Sequence, residues 1–319
     1  MMVAPLEFEK RVAELEGKLA ELHHLSSTDD FDILSEMTRL KAKVEKMLHQ
    51  IYDKLTPWQK VQVARHVARP NFLNYVEFLI DDFTELAGDR CFGEDKAIIG
   101  GLGRFRGQSV MIIGHQKGRD TESRLRHNFG MARPEGYRKA RRLMEMAEKF
   151  NLPLITLVDT AGAHPGINAE ERGQAEAIAR CIETSVMLTI PIVATITGEG
   201  GSGGAIALAV ANHIYMLEHS VYSVISPEGC ASILWRTNDK KEVAADALKM
   251  TAQDLLKLGI INAIIKEPLG GAHRDSTQSM QAVGDQIEIA LRHLIPMGGF
   301  ERKRQKEEKF LEMGRKALI

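Results

Sequence analysis

A glycine run constrains the fold of this chain more than any other feature of its sequence. Five of the seven residues at 198–204 are glycine, and they follow the apolar, β-branched segment 192–196. The next segment, 205–210, is apolar on every side, which predicts a short helix that is buried all round. The sequence therefore predicts a tight strand-to-helix turn inside an α/β protein, where the missing side chains allow a close approach of other groups.

One well-known motif that the run matches by letter is the dinucleotide-binding fingerprint. Gly198, Gly200 and Gly203 have its spacing, and Glu218 at the end of the next predicted strand could act as the ribose-binding acid. The nine residues 205–213 between the run and that strand are too few for a crossover helix with its turns, which needs about a dozen or more. The short connection therefore argues against a dinucleotide site.

A second motif, Gly200-x-Ser202-x-Gly204, has the pattern of the nucleophile elbow of hydrolases. A serine nucleophile needs a histidine base and an acid, and none of the 11 histidines stands in a recognisable pairing pattern. Three of them could still approach the run in the folded chain: His213, His219 and His273. A third interpretation uses the backbone alone, because N–H groups at the start of a buried helix can form an oxyanion hole.

Strand and helix patterns surround the run. Short apolar segments predict strands at 97–101, 110–114, 154–158, 192–196, 214–217 and 221–225, with a hairpin turn at 106–108. Longer periodic segments predict helices at 134–150, 169–187, 278–294 and 300–319, and the dense charges of the last predict a solvated face. Alternating strands and helices favour buried parallel strands with ligands at their carboxyl ends, where both 159–162 and the glycine run lie.

The first 55 residues have a different pattern. Apolar residues recur at spacings of three and four in 8–22 and in 37–51, and the polar segment 26–30 between them has turn and N-cap chemistry. Two antiparallel helices are therefore expected. Because two helices alone bury little surface, we expect them to pack against the main body or a partner subunit.

Composition and charge exclude several classes of protein. The chain has 44% hydrophobic and 27% charged residues, as globular proteins do, and its net charge of −1 offers no general attraction to nucleic acid or membranes. It lacks both the roughly 18 uninterrupted apolar residues of a membrane helix and a signal-peptide pattern, so we expect a cytoplasmic location. Its three cysteines, Cys91, Cys181 and Cys230, are expected to be small buried side chains rather than disulfide or zinc ligands.

Seven further stretches carry distinctive motifs. They are FTELAGDR (83–90), MIIGHQKGR (111–119), NFGM (128–131), PEGYRKA (134–140), AEERGQ (169–174), YSVISPEGCASILW (222–235) and EPLGGAHR (267–274). Together with the glycine run they resemble the alpha subunits of bacterial acetyl-CoA carboxylase carboxyltransferases, over most of residues 70–275. The familiar family pattern Asp-Thr-Pro-Gly-Ala-Tyr-Pro-Gly differs here at two positions, Ala161 and His164, in a loop expected to line the active site.

The resemblance implies a fold and an activity. The fold is α/β, with a crotonase-like (ClpP/enoyl-CoA hydratase) spiral core at 70–275, an N-terminal helical hairpin at 1–60 and C-terminal helices at 276–319. The activity is transfer of a carboxyl group from carboxybiotin, carried on the biotin carboxyl carrier protein, to acetyl-CoA. The product is malonyl-CoA, in the first committed step of fatty acid biosynthesis.

The resemblance also implies partners. Family members form a heterotetramer of two alpha and two beta subunits and work with biotin carboxylase and the carrier protein. The beta subunit carries a four-cysteine zinc motif. With only three scattered cysteines, this chain is expected to hold no metal.

The same resemblance suggests site residues. Gly200 and Gly201 are expected to donate their N–H groups to a developing negative charge, while Gly203 and Gly204 allow close packing of the helix. Basic residues after the strand at 110–114 could bind substrate or form surface ion pairs with Asp120 or Glu122; they are Lys117, Arg119 and Arg126. Ser226 and Glu228 could line the substrate pocket or belong to a simple turn.

Two other functions remain open from the sequence. One is a stand-alone crotonase-type acyl-CoA hydratase or thioesterase, which would be active without a partner. The other is a non-catalytic assembly subunit that uses its N-terminal helices as a scaffold.

Overall fold

The N-terminal helices pack together and against the rest of the chain. The structure is a computed structural model that describes residues 5–25 and 31–315, so the predicted turn at 26–30 lies outside the described residues. Helix α1 spans Lys10–Leu25 and α2 spans Phe31–Tyr52. Their apolar faces form a cluster that also contains Val63 and Leu269 of the body. The predicted pair of helices is confirmed, and the pair packs against the body of the same chain.

A polar contact fixes this docking. The carboxylate of Glu9, which is buried, accepts a hydrogen bond from Tyr52 Oη at 2.9 Å and pairs with Arg274 at 3.0 Å. Arg274 also pairs with Glu16 at 2.6 Å. Residues from α2 and from the segment before α13 (Ser276–Leu294) therefore meet at one buried carboxylate near the start of the chain.

A mixed β-sheet forms the centre of the body. Its strands are β1 (Ile80–Glu85), β2 (Ile98–Phe105), β3 (Gln108–His115), β4 (Leu154–Thr160), β5 (Ile192–Gly201), β6 (His213–Leu217), β7 (Val221–Ser223) and β8 (Ala263–Ile265). Neighbouring strands follow the order β1-β2-β3-β4-β5-β6-β8, antiparallel up to β3 and parallel thereafter. The short strand β7 pairs with the end of β5, beyond β6.

Helices cover both faces of the sheet. They are α3 (Pro57–Ala64), α4 (Phe72–Leu79), α5 (Thr121–Arg126), α6 (Pro134–Lys149), α7 (Ile167–Glu170), α8 (Gln174–Met187), α9 (Ser202–Ala209), α10 (Pro227–Trp235), α11 (Lys241–Ala247), α12 (Ala252–Lys257), α13 (Ser276–Leu294) and α14 (Gly299–Glu312). Alternate strand residues face opposite sides, as the pleat requires. Met111 and Ile113 pack with α6, α8 and α9, whereas Ile112 packs with α4 and α13. The predicted buried, mostly parallel α/β core is confirmed.

The predicted hairpin between β2 and β3 is also confirmed. Its two turn residues, Arg106 and Gly107, have φ values of 47° and 83°. Two consecutive left-handed residues make the tight turn whose twist matches that of the flanking strands.

Two predicted helices differ in the structure. The helix predicted at 169–187 is broken into α7 and α8, because Gly173 adopts φ +81° between them. The buried helix predicted at 205–210 begins earlier, at Ser202, and β5 runs through the first part of the glycine run to Gly201. The strand is longer than predicted because β7 pairs with it as far as Gly201.

The charged C-terminal helix α14 is not the fully solvated element that its composition predicted. Arg302 and Lys306 are buried. Arg302 Nε donates to the carbonyl of Thr189 at 2.8 Å, and Lys306 Nζ donates to that of Leu188 at 3.0 Å. Both carbonyls follow the carboxyl end of α8, where unpaired carbonyl groups attract cations.

The cysteines were predicted to be buried, which holds for Cys181 only. Cys91 is exposed and Cys230 is half-buried, and all three are free thiols. Among the described residues, no helix combines the length and apolar character that crossing a bilayer requires.

The buried imidazole of His273 should make the stability of the protein depend on pH. His273 stacks on His66 with ring centroids 4.0 Å apart, and burial, then the charges of His66, Arg69 and Arg274, lowers its pKa to about 2. The unfolded pKa is about 6.5, so the folded state favours the neutral ring. The stability it contributes is present above pH 6.5 and is lost as the pH falls towards 2.

We therefore expect the free energy of unfolding to decrease as the pH falls from 6.5 to 4. The variant His273→Phe keeps an aromatic ring and removes the proton uptake, so its slope should be smaller by up to about 1.4 kcal/mol per pH unit. Urea unfolding at a series of pH values measures this slope. The variant His24→Phe, at an exposed position of α1, is the control. Equal slopes for wild type and His273→Phe would contradict the expectation.

Candidate active site

A bulge in β5 sets the position of the glycine run. Strands β4 and β5 are in register up to Val158 and Ile196, and the next aligned pair is Thr160 with Gly200. Two steps along β4 therefore correspond to four along β5, so residues 197–199 bulge outward. Such bulges re-aim a strand and are frequent beside active sites.

Polar groups stabilise the bulge on both sides. The carbonyl of Thr197 accepts a hydrogen bond from Arg69 Nη2 at 2.9 Å, and the N–H of Glu199 donates to Asp159 Oδ1 at 2.9 Å. A Cβ at Gly198 would lie 2.5 Å from that same carboxylate oxygen. Glycine is therefore required at 198 so that Asp159 can reach the backbone of the bulge.

The turn after the bulge packs directly on the loop that follows β4. A Cβ at Gly201 would lie 2.1 Å from the carbonyl oxygen of Ala161, and one at Gly204 would lie 2.7 Å from the amide nitrogen of Ala163. At Gly203 the nearest atom would be in ordinary contact, at 3.5 Å. Close packing was predicted for Gly203 and Gly204. The structure leaves no room for a side chain at Gly204, nor at Gly201, whereas Gly203 has room for a methyl group.

Backbone donors gather at the start of α9. Gly201 is the N-cap residue of this helix, so the N–H groups without partners inside the helix belong to residues 201–204. Gly200 precedes them within β5 and pairs with Thr160 on one side and Tyr222 on the other. The helix is buried along most of its length, which keeps the positive end of its dipole poorly screened.

Five charged side chains form a continuous series of contacts beside the turn. Lys117 Nζ lies 2.6 Å from Asp159 Oδ1 and 3.7 Å from Glu199 Oε2. Arg65 lies 2.6 Å from Glu199 Oε1 and 2.5 Å from Glu228 Oε1. The order Asp159, Lys117, Glu199, Arg65, Glu228 alternates in sign, and we call it the charged chain.

The ionisation of the charged chain follows from these contacts. Burial alone would lower the pKa of Arg65, but its hydrogen bonds to Glu199 and Glu228, with their charges, raise the pKa overall. Burial would raise the pKa of Glu228, but the hydrogen bond from Arg65 outweighs it and lowers that pKa. Arg65 and Glu228 are therefore held in their charged forms.

The other predicted site residues have local partners. Ser226 is the N-cap of α10, and its hydroxyl accepts the N–H of Gly229 at 3.1 Å. Arg119 is exposed and donates to Asn74 Oδ1 at 2.8 Å, while Arg126 pairs with Glu122 at 2.8 Å on the surface. The structure thus brings Lys117 and Glu228 into the charged chain. Ser226 adjoins it through a side-chain hydrogen bond with Glu228, whereas the contact of Arg119 lies elsewhere.

The nucleophile interpretation of Ser202 lacks its base. Ser202 does have the left-handed φ of 54° at a strand-to-helix junction. However, His213 contacts Tyr215 and His293, His219 contacts Tyr52, and His273 stacks on His66. Within residues 5–25 and 31–315 no hydrogen bond joins Ser202 to a histidine, so no triad forms there.

Three residues of the charged chain were missed by the sequence interpretation: Arg65, Asp159 and Glu199. Glu199 had a detectable signal, since it is the only charged residue in the ten-residue strand β5. Asp159 directly follows the strand predicted at 154–158, which is a weaker signal. Arg65 lies at the end of α3, far away in sequence, and nothing local marks it.

Metal ligands do not gather in the part of the chain that the structure describes. No three His, Cys, Asp or Glu residues there come together in a way that could hold an ion. The expectation that this chain holds no metal stays a prediction.

Comparison of the sequence with known families identifies one that covers almost the whole chain. Residues 5–314 match the family model described as acetyl co-enzyme A carboxylase carboxyltransferase-like. The chain is 63% identical over 313 residues to a protein of Paramagnetospirillum magneticum and 59% identical over 314 residues to one of Sphingopyxis alaskensis. Both are named acetyl-coenzyme A carboxylase carboxyl transferase subunit alpha, and the matches cover 98% of this chain and 99% and 100% of theirs.

Solved structures of similar fold include the 12S transcarboxylase and the beta subunit of a geranyl-CoA carboxylase from P. aeruginosa. The first has a TM-score of 0.59 and 19% identity, and the match covers 72% of this chain and 42% of that chain. The second has a TM-score of 0.54 and 18% identity, with 74% and 45% covered. This chain therefore spans less than half the length of either neighbour, and at these identities the likeness shows a shared crotonase-like fold.

The matches over nearly the full length of both chains are decisive for the family. This chain belongs to the acetyl-CoA carboxylase carboxyltransferase family, as an alpha-subunit member of an enzyme that transfers a carboxyl group.

Proposed function

We propose that this chain forms one half of a carboxyltransferase active site, which makes malonyl-CoA from acetyl-CoA and carboxybiotin. Carboxybiotin on the biotin carboxyl carrier protein supplies the carboxyl group, and its ureido oxygen gains negative charge as the group leaves. The methyl carbon of acetyl-CoA receives the group. The observation that carries the proposal is the glycine turn at the start of buried α9, in a chain of this family.

Fixed donors at the turn are the proposed catalytic groups. We assign this role to the N–H groups of Gly200 and Gly201, which lie at the junction of β5 with α9. Such donors stabilise charge that develops only in the transition state, and removing one typically costs on the order of 10²–10³ in rate. The packing of residues 161–163 on Gly201 and Gly204 holds the donors in place.

The carboxylates near the turn do not serve as bases in this proposal. Asp159 and Glu199 pair with Lys117, and Glu199 and Glu228 pair with Arg65. The hydrogen bond from Arg65 lowers the pKa of Glu228, so that carboxylate is a weak proton acceptor. The role we propose for the charged chain is therefore structural support of the turn, and direct substrate binding by Lys117, Arg119, Ser226 and Glu228 remains a prediction from the sequence.

The proposed assembly contains a carboxyltransferase beta subunit, which supplies the zinc motif and most of the CoA site. Two alpha and two beta subunits form the tetramer, and biotin carboxylase and the carrier protein complete the system in the cytoplasm. Within this chain we propose the division 1–60, 70–275 and 276–319. The helical hairpin and the C-terminal helices then support the catalytic core.

The isolated chain should be inactive, because half of its site is missing. We expect malonyl-CoA to form only when the beta subunit and carboxybiotin are both present. A radiochemical or coupled assay with each component omitted in turn measures this dependence. Hydration or thioester hydrolysis of an acyl-CoA by the isolated chain would instead support the stand-alone enzyme.

Replacing Gly201 by alanine should reduce turnover of the assembled enzyme by on the order of 10²-fold or more. The new Cβ would lie 2.1 Å from the carbonyl of Ala161 and must displace the turn. Gly93→Ala is the control, since no atom lies within 4 Å of its added Cβ. Size-exclusion chromatography verifies that both variants assemble. Normal turnover of an assembled Gly201→Ala enzyme would favour the scaffold function.

A further inference from the structure

We infer that Arg65 is a positioning residue for carboxyl transfer, because it ties the glycine turn to α10 through Glu199 and Glu228. This inference rests on the proposed function. Arg65 is the residue that ends α3 as its C-cap. It lies outside every motif that carried the family resemblance.

The geometry of the contact is that of a bridge. Arg65 Nε and Nη2 both donate to Glu199 Oε1, at 2.9 and 2.6 Å. Nη1 donates to Glu228 Oε1 at 2.5 Å, and Nη2 also reaches Glu228 Oε2 at 3.4 Å. A planar guanidinium group can hold two carboxylates at fixed angles in this way, whereas the single ammonium of lysine cannot.

One end of the bridge is rigidly connected to the turn. Glu199 immediately precedes Gly200, its side chain is 8% exposed, and its N–H is fixed by Asp159. Lys117 approaches its other carboxylate oxygen at 3.7 Å. A shift of the Glu199 side chain therefore moves the backbone that carries the proposed donors.

The other end of the bridge belongs to an element that also contacts the turn. Glu228 lies in the first turn of α10, which follows β7, and Ser223 of β7 pairs with Gly201. The contacts therefore form a closed loop: β5 pairs with β7, β7 leads to α10, and Arg65 joins Glu228 of α10 back to Glu199 of β5. Besides the arginine, α10 is connected to the turn through β7, a strand of three residues.

The desolvation of these three charged groups argues that the bridge has a role beyond stability. Partly buried ion pairs rarely add much net stability, because desolvation offsets their attraction. A fully buried pair close by, Arg69 with Glu267, already fixes the bulge through the carbonyl of Thr197. Arg65 is 31% exposed, and its two carboxylate partners are Glu199, which immediately precedes Gly200, and Glu228 of α10. Precise placement of the turn is the effect that the bridge adds.

The test compares Arg65→Gln and Arg65→Lys in the assembled enzyme. We expect both to lower kcat on the order of 10²-fold while the KM for acetyl-CoA and the assembly are unchanged, because a small misplacement of catalytic groups can have that effect. The lysine variant keeps the charge and loses the bridge. A lysine variant with normal kcat would overturn the inference.

The matched control is Arg180→Gln. Arg180 also bridges two glutamates, Glu176 at 3.0 Å and Glu183 at 2.8 Å, on the exposed face of α8. Its loss should leave kcat unchanged. An equal decrease in Arg180→Gln and Arg65→Gln would overturn a specific positioning role.

A second readout does not depend on activity. Amide hydrogen exchange should increase in peptides covering 197–204 and 224–230 of Arg65→Gln, with unchanged exchange in α13. Unchanged exchange at both segments would overturn the inference. If wild type makes no malonyl-CoA with its partners, the proposed function fails, and exchange alone decides whether Arg65 positions the turn.

Glu228→Gln covers the case in which the Arg65 variants fail to fold. It weakens one end of the bridge and leaves the Arg65–Glu199 pair in place. We expect a smaller decrease in kcat, with faster exchange in the same two segments. Wild-type kcat and exchange in this variant would show that the tie to α10 has no effect on the site.

Discussion

The hydrogen bond from the N–H of Glu199 to the carboxylate of Asp159 is the interaction on which the architecture of the site depends. It lies where β5 slips by two residues against β4, between the aligned pairs Val158–Ile196 and Thr160–Gly200. Without the slip, β5 would continue as a regular strand, and the glycines would not meet the loop after β4. With it, the strand ends against residues 161–163 and turns into α9 at Ser202.

Charge inside this region is tolerated because each charged group has a partner. An isolated carboxylate in such surroundings would be protonated or would destabilise the fold. Here Asp159 and Glu199 share Lys117, and Glu199 and Glu228 share Arg65. The same principle applies next to the N-terminal helices, where Glu9 pairs with Arg274. It also applies at α14, where the buried side chain of Lys306 donates to a carbonyl after α8. Contacts of buried charged groups therefore join the N-terminal helices to the segment after β8, and α14 to the segment after α8.

Much of the fold could be predicted from local pattern. The period of the apolar residues located the N-terminal helices, α6 and the central strands, because each buries one face or both. The glycine run was recognisable because a tight turn needs residues without side chains, and Gly201 and Gly204 meet that need. The exact start of α9 was not predictable, since it depends on the pairing of β7 with Gly201, a contact set by tertiary structure.

The remaining errors have the same cause. Arg302 and Lys306 were expected in solvent, because a charge pattern does not reveal the carbonyl groups after a distant helix. Arg65 was missed because its partners lie more than a hundred residues away in sequence. Contacts of this kind are long-range and leave no period or spacing in the chain. Lys117 was noticed as a basic residue after a strand, and the structure shows that its ammonium group faces Asp159.

The central claim is that backbone N–H groups at the glycine turn hold a developing negative charge. A crystal or electron-microscopy structure of the complex with the beta subunit and biotin methyl ester tests it most directly. The account predicts that the ureido oxygen lies roughly 3 Å from the amide nitrogen of Gly200 or Gly201. A ureido oxygen bound elsewhere, for example by Lys117 or Arg119 with the turn facing no ligand, would contradict it.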